Sequence, residues 1–225
     1  MRRLSLTQKR FVQFVGVLGL SLAMLAGCGK REKITPPEDL STVERVNRGW
    51  QEFSSGNFDA AVADFSRAAA DSAGFVDAHV GEGWSRLSRA TDAQEVSRSI
   101  DAFNRAANLA TSLDAVAGRA AARLAQGGTS LNTAAADADE VLAGASNYSF
   151  SRRTSFTAAD LRLIKAFAKA AQAEYAAALT AADQVQASGI QAGNPSTWTI
   201  DGVTYSSFPG AVLAQLAKLS NQFAG

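Results

Sequence analysis

Hydrophobic positions recur with helical spacing from Ser41 onward, and alanine is abundant among them. The apolar side chains of a first segment fall on one helical face: Val43, Val46, Trp50 and Phe53. Ser54-Ser55-Gly56-Asn57 interrupts this pattern, and a second stripe follows, formed by Phe58, Ala61, Val62, Phe65 and Ala69. Two amphipathic helices joined by a short turn predict a helical hairpin, which cannot bury its apolar stripes alone.

The same unit is repeated further along the chain. Gly49-Trp50 is echoed 34 residues later by Gly83-Trp84, and Phe65 is echoed by Phe103. A third helix pair is predicted at 115–126 and 131–144, and a fourth begins at Thr157 and continues to Ala182. The sequence therefore predicts an all-α fold, an α-solenoid of helical hairpins over residues 41–188.

One stretch of the first unit points to a known kind of repeat. "GNFDAAVADFSRAA", Gly56 to Ala69, resembles the tetratricopeptide family, and the spacing of 34 residues is the period of that family. The resemblance implies that Phe65 is a knob between helices. It also implies a curved groove lined by the leading helix of each hairpin, where a peptide segment, a helix or a partner domain docks.

Four residues of the leading helices are candidates for partner binding. Trp50 and Trp84 recur at the same place in two units, although large aromatic side chains in a helical stripe usually pack in the core. Arg48 and Glu52, on the same helix as Trp50, are the more exposed candidates.

A long connection between the third and fourth pairs also carries aromatic and basic residues. It reads "SNYSFSRRTSF" and contains Tyr148, Phe150, Arg152, Arg153 and Phe156. Aromatic rings interleaved with arginine could recognise a partner or a glycan by stacking. The favoured interpretation is that the rings fix the connection onto the core while the arginines stay in water.

The carboxyl-terminal unit, residues 189–225, has a different pattern. Segments 197–200 and 203–206 alternate around Asp201-Gly202, which predicts a β-hairpin with Ile200 opposite Val203 and Trp198 opposite Tyr205. All four side chains would pack on helices. Ser207 then caps a last helix, with Pro209 in its first turn, that covers the open end of the array.

The amino terminus has the order of a secretory signal peptide. Four basic residues, Arg2, Arg3, Lys9 and Arg10, precede an apolar run that ends at Ala26. Leu25-Ala26-Gly27-Cys28 resembles the lipobox of bacterial lipoproteins, and this resemblance implies cleavage before Cys28 and attachment of acyl chains such as palmitate there. Residues 1–27 are then the signal peptide, and 28–40 are the lipidated cysteine and a linker.

Lipidation predicts where the protein works. Two or three acyl chains anchor a protein stably, whereas one chain binds a membrane only reversibly. Gly29 stands where lipoproteins retained at the inner membrane often have aspartate, so the resemblance favours the periplasmic face of the outer membrane. The alternative location is the extracytoplasmic face of the cell membrane.

Composition narrows the function. Between Cys28 and Gly225 there are 18 basic and 21 acidic residues, which gives a net charge of −3 and no basic footprint for nucleic acid. His79 is the only histidine and Cys28 the only cysteine, so neither a metal site nor a cofactor is predicted.

A non-enzymatic role in binding or scaffolding other envelope proteins is therefore the leading hypothesis. Tetratricopeptide-like envelope lipoproteins typically have that role, so the resemblance implies it here. One alternative is an envelope enzyme that acts on glycan through carboxylates such as Asp137 and Glu140. A narrower alternative is a subunit of the machinery that assembles outer-membrane proteins.

Overall fold

A computed structural model describes residues 40–223 of the chain. The predicted signal peptide and Cys28 lie outside the described residues. Nine α-helices lie within them: α1 Thr42–Ser54, α2 Phe58–Asp71, α3 Val76–Arg89, α4 Ala93–Leu109, α5 Leu113–Gln126, α6 Ser130–Gly144, α7 Ala158–Ala171, α8 Tyr175–Asp183 and α9 Phe208–Phe223.

The helices pack in chain order as neighbouring antiparallel pairs, which confirms the predicted α-solenoid. The hairpins are α1–α2, α3–α4, α5–α6 and α7–α8, and each leading helix also contacts the leading helix of the next hairpin. The buried apolar residues form two core clusters, one that runs from α1 to α7 and one that joins α7 and α8 to the carboxyl-terminal unit. None of the helices in the described part of the chain is both long and apolar enough to cross a bilayer.

Side-chain caps define several helix starts. Ser41 and Glu44 form a capping box at α1, and Thr157 and Asp160 form another at the predicted start of α7. Asp92 caps α4 by accepting hydrogen bonds from the backbone N–H groups of the second and third helical residues. Glu95 does not complete a capping box with Asp92, because its carboxylate pairs with Arg89 and Arg98 instead.

The repeated phenylalanines lock successive hairpins together. Phe65 and Phe103 are fully buried, and each ring lies between two glycines of adjacent leading helices. Gly49 and Gly81 flank Phe65, and Gly83 and Gly118 flank Phe103. Because a Cβ atom at any of these glycines would overlap the ring, the glycines allow the close approach that the repeat requires. This arrangement confirms that Phe65 and Phe103 are equivalent knobs.

The turn inside the fourth hairpin copies the turn inside the first. Gly56, two residues after the end of α1, has φ +76°, and Ala173, two residues after the end of α7, has φ +62°. The left-handed region is open to glycine but strained for alanine. Ala173-Glu174-Tyr175 therefore matches Gly56-Asn57-Phe58 in backbone conformation.

The carboxyl-terminal unit contains the predicted β-hairpin and last helix. Strands β1 Thr199–Ile200 and β2 Val203–Thr204 pair antiparallel with Ile200 opposite Val203, and the backbone N–H of Tyr205 donates to the carbonyl of Trp198. Helix α9 packs on α7, α8 and β1, and the Ser207 hydroxyl accepts a hydrogen bond from the Gly210 N–H in its first turn.

Three apolar side chains that the periodicity placed inside are exposed instead. Val203, at the tip of the β-hairpin, is 55% exposed, so the prediction that all four hairpin side chains pack on helices was wrong for this residue. Val43 in α1 and Leu213 in α9 are also exposed. Both belong to the two ends of the array, where a helix has a neighbour on only one side.

Candidate partner-binding face

The leading helices are covered on both sides over the middle of the array. Every residue of α3 and α5 is buried or half-buried. One side packs on the trailing helices, and residues 145–157, the connection between α6 and α7, pack against the other. We call this connection the closing loop and the surface beneath it, formed by α1, α3 and α5, the leading-helix face.

The closing loop has a defined structure of its own. The N–H of Phe150 donates to the carbonyl of Phe156 at 3.0 Å, and the N–H of Ala158 donates to the carbonyl of Tyr148 at 2.7 Å. An antiparallel bridge pairs Ser149 with Thr157. These bonds bring the two ends of the loop together and turn its aromatic side chains toward the helices.

Aromatic contacts join the closing loop to the leading-helix face. The ring of Phe150 stacks on Trp84, with centroids 5.2 Å apart and planes inclined by 19°. Phe150 also meets Trp50 at 5.9 Å, and Phe156 meets Trp84 edge-on at 4.9 Å. Because Tyr148, Phe150 and Phe156 are all less than 9% exposed, these rings belong to the core.

Polar contacts accompany the rings at the rim of the face. The guanidinium of Arg152 lies over the ring of Trp50, 5.3 Å from its centroid, and pairs with the carboxylate of Asp77 at 3.5 Å. The indole N–H of Trp50 donates to the same carboxylate at 3.0 Å. Arg152 and Asp77 have side chains 44% and 41% exposed, so the charged rim remains in contact with water.

Within residues 40–223, Trp84 makes no hydrogen bond that matches the one from Trp50 to Asp77. The carboxylate of Asp114, in the first turn of α5, accepts a hydrogen bond from the hydroxyl of Tyr148 at 2.8 Å. The indole N–H of Trp84 is buried and has no hydrogen-bond partner within the described residues, 40–223. Burial, together with the nearby Asp114 carboxylate, raises the pKa of the Tyr148 phenol, so this hydroxyl stays a donor.

Two charged residues at the base of the closing loop, Arg153 and Asp160, are partly shielded from water. Burial raises the pKa of Asp160, although hydrogen bonds from Thr157 act in the opposite direction. Burial also lowers the pKa of Arg153, against the favourable field of Asp160. Thus Arg152 stays in water, as the favoured interpretation of the loop required, but Arg153 is partly withdrawn from it.

The four sequence candidates for partner binding do not share one surface. Trp50 and Trp84 lie together beneath the closing loop, with 4% and 0% exposure. The guanidinium Nε of Arg48 donates to the buried carboxylate of Asp64 on α2 at 2.7 Å. Glu52 is half-buried and accepts a hydrogen bond from the amide of Asn57, in the turn before α2. Arg48 and Glu52 therefore lie on the α2 side of α1, and their contact with a partner stays a prediction.

The carboxylates considered for catalysis are engaged in ion pairs. Asp137 is buried and accepts hydrogen bonds from Arg119 at 2.9 Å and from Arg123 at 2.5 Å. Glu140 is exposed, and its carboxylate lies 4.0 Å from the Arg119 guanidinium. The two acids thus face one arginine rather than a pocket between them. Within residues 40–223 there is also no cluster of three or more histidine, cysteine or acidic side chains that could hold a metal ion.

The single histidine has a structural position. His79 is buried, and its Nε2 lies 3.0 Å from the carbonyl oxygen of Ala73, in the turn before α3. Arg45, 34 residues earlier, makes the matching contact by donating from Nη2 to the carbonyl of Leu40. Both side chains hold a leading helix against the segment that precedes it.

Comparison with protein-family models and with curated proteins finds no match to this chain. Two functional features were absent from the sequence prediction: the seat of the closing loop on the leading-helix face, and the roles of Asp77 and Asp114. The two acids share one position in the sequence, which is their only signal there. Asp77 and Asp114 are each the second residue of a leading helix, two residues after Phe75 and Ser112 respectively.

Proposed function

We propose that this protein is a lipoprotein tethered through acyl chains on Cys28, which acts as a protein-binding or scaffolding module of the bacterial cell envelope. It is held on the periplasmic face of the outer membrane, and its partner is another envelope protein. The leading-helix face and its charged rim are the binding surface.

The main support is the chemistry of the leading-helix face. It already holds a peptide-like segment, the closing loop, through ring stacking on Trp50 and Trp84 and through the Arg152–Asp77 pair. A surface that accommodates aromatic side chains beside an arginine within one chain is suited to accept them from another chain. The carboxylates of Asp137 and Glu140, which were considered for catalysis, face Arg119 rather than a pocket between them, so binding is favoured over catalysis.

The tether is tested by changing the cysteine. Wild-type protein should incorporate radiolabelled palmitate and partition into detergent, whereas Cys28→Ala should do neither and should be released into buffer. Separation of inner and outer membranes then locates the anchored protein. Wild-type protein that takes up no label and stays in buffer would show that the lipoprotein assignment is wrong.

The binding surface is tested with matched aspartate variants. Asp77→Asn removes the rim charge of the face but keeps an acceptor for Trp50, and Asp101→Asn removes an exposed carboxylate on trailing helix α4. After crosslinking in the native envelope, Asp77→Asn should recover less of the partner that wild type captures, while Asp101→Asn should recover an equal amount. If Glu52→Gln abolishes capture and Asp77→Asn does not, the contact lies on the α2 side of α1 instead.

A further inference from the structure

Across the first three hairpins, a tryptophan on one leading helix and an aspartate at the start of the next leading helix recur at equivalent positions. Trp50 on α1 donates its indole N–H to Asp77, the second residue of α3. Trp84 holds the place of Trp50 one hairpin later, and Asp114, the second residue of α5, holds the place of Asp77. The repeat geometry therefore offers Trp84 the carboxylate of Asp114 as its partner.

The closing loop bonds to that carboxylate instead. Tyr148 donates its hydroxyl to Asp114, and the buried N–H of Trp84 has no partner among residues 40–223. A buried donor that makes no hydrogen bond destabilises the arrangement that leaves it so. A carboxylate can accept from several donors, as Asp77 does from Trp50 beside Arg152. The missing bond therefore means that Asp114 is not in place for Trp84 while the loop is seated.

We propose that the closing loop is a displaceable latch, an internal ligand that gives way to an external peptide segment carrying aromatic side chains beside an arginine. When the loop leaves, Asp114 becomes free to accept the N–H of Trp84, as Asp77 accepts that of Trp50. This inference rests on the proposed function only in taking the leading-helix face as the binding surface.

The construction of the loop allows it to leave as one unit. The bonds between Phe150 and Phe156 and between Tyr148 and Ala158 lie within the loop and its junction with α7. Its polar links to α3 and α5 are made by the side chains of Arg152 and Tyr148. Release of these side chains breaks no backbone hydrogen bond of the leading helices.

An external ligand must resemble the closing loop, because opening of the loop exposes aromatic surface that the ligand has to cover. Three loop rings and the ring of Trp84 would lose their apolar contacts, so the open state is rare in the absence of a ligand. A ligand shifts such an equilibrium only by the difference between its affinities for the two states. An effective ligand therefore has to supply rings to Trp50 and Trp84 and a cation near Asp77, as the loop does.

The chain itself supplies a probe for this face. A fluorescently labelled peptide of residues 146–157, SNYSFSRRTSFT, is titrated into the full chain of the wild type and of the double variant Phe150→Ala, Phe156→Ala, with anisotropy as the readout. The variant, whose own loop holds the face more weakly, should bind the peptide at least about tenfold more tightly than wild type. A peptide with both phenylalanines changed to alanine should not bind. A folded double variant that does not bind the peptide, or that binds both peptides equally, would show that the latch proposal is wrong.

Hydrogen exchange of the wild type decides the question even if the double variant does not fold. The latch predicts that the amides of Phe150, Phe156 and Ala158 exchange through an opening that leaves the amides of α3 and α5 protected. Exchange of the loop together with α3 and α5, in one event, would show that the loop is permanent core and the latch is wrong. Neither measurement uses the anchor or a natural partner, so failure here leaves the proposed tethering and scaffolding to be judged separately.

Discussion

The interlocking of ring and glycine can be tested at Gly83. A Cβ atom added there would lie 2.6 Å from Cε1 of Phe103, whereas ordinary contacts begin at 3.4 Å, so the ring or helix α3 must move by about 0.8 Å. The ring has no room to withdraw, because a Cβ atom at Gly118 of α5 would lie even closer to it and the side chain is fully buried.

Two opposing effects set the size of the change. Overpacking of a core contact destabilises by about 1–3 kcal/mol, and this tight site belongs in the upper part of that range. Alanine is a better helix former than glycine by about 1 kcal/mol, which partly offsets the overlap. Gly83→Ala should therefore lower the free energy of unfolding by about 1–2 kcal/mol, measured from the midpoint and slope of a urea titration monitored by circular dichroism.

The background and the control make the test specific. In a Phe103→Ala background the overlap is gone, so Gly83→Ala should change sign and stabilise by up to about 1 kcal/mol. Gly74→Ala, where a Cβ would meet nothing within 4 Å, should stay within about 0.5 kcal/mol of wild type. Equal effects of Gly83→Ala in both backgrounds, or an effect no larger than that of Gly74→Ala, would refute the interlocking.

Three further outcomes are expected in the same denaturation assay. Phe65→Ala should destabilise by about 3–5 kcal/mol, as for a fully buried aromatic, and a near-neutral result would count against the repeat alignment. Gly56→Ala should destabilise by about 1 kcal/mol and Ala173→Gly should stabilise by about 0.5–1 kcal/mol, because both positions have positive φ; the opposite signs would contradict the equivalence of the turns. Arg48→Ala should destabilise by about 2–3 kcal/mol, because it leaves Asp64 buried and unpaired, and the double change with Asp64→Ala should recover part of that loss.

The expected cost of Arg48→Ala changes how Arg48 can be used experimentally. The sequence marks Arg48 as a candidate for partner binding, whose replacement would be expected to weaken partner capture. Since the guanidinium holds a carboxylate on α2 that is nearly inaccessible to water, any loss of capture would be mixed with loss of stability. Asp77 at the exposed rim, whose replacement by asparagine keeps an acceptor for Trp50, is the cleaner probe.

Local signals in the sequence account for most of the array. The recurring glycine and phenylalanine positions, the capping box at Thr157, and Asp201-Gly202 predicted the hairpins, the start of α7 and the β-turn. Each of these features is decided by residues that are near in sequence or that repeat at a fixed period. Periodicity could not predict the exposure of Val43 and Leu213, because it shows which face of a helix is apolar but not whether a neighbour covers it.

The seat of the closing loop is the part that sequence reasoning could not place. Phe150 packs on Trp84, 66 residues away, and on Trp50, 100 residues away, and no local pattern encodes such contacts. The aromatic residues of the connection predicted that it would pack on the core. They did not predict that it would occupy the surface on which the resemblance to tetratricopeptide repeats placed a partner.

The central claim is that this solenoid binds another envelope protein through its leading-helix face. Site-specific photo-crosslinking in intact cells tests it most directly, with a photoreactive residue in place of Arg152 at the rim of that face, or in place of Arg67 on trailing helix α2. The account predicts a discrete crosslinked partner from position 152, lost when Cys28→Ala releases the tether, and none from position 67. A partner that crosslinks to position 67 and not to position 152 would contradict it.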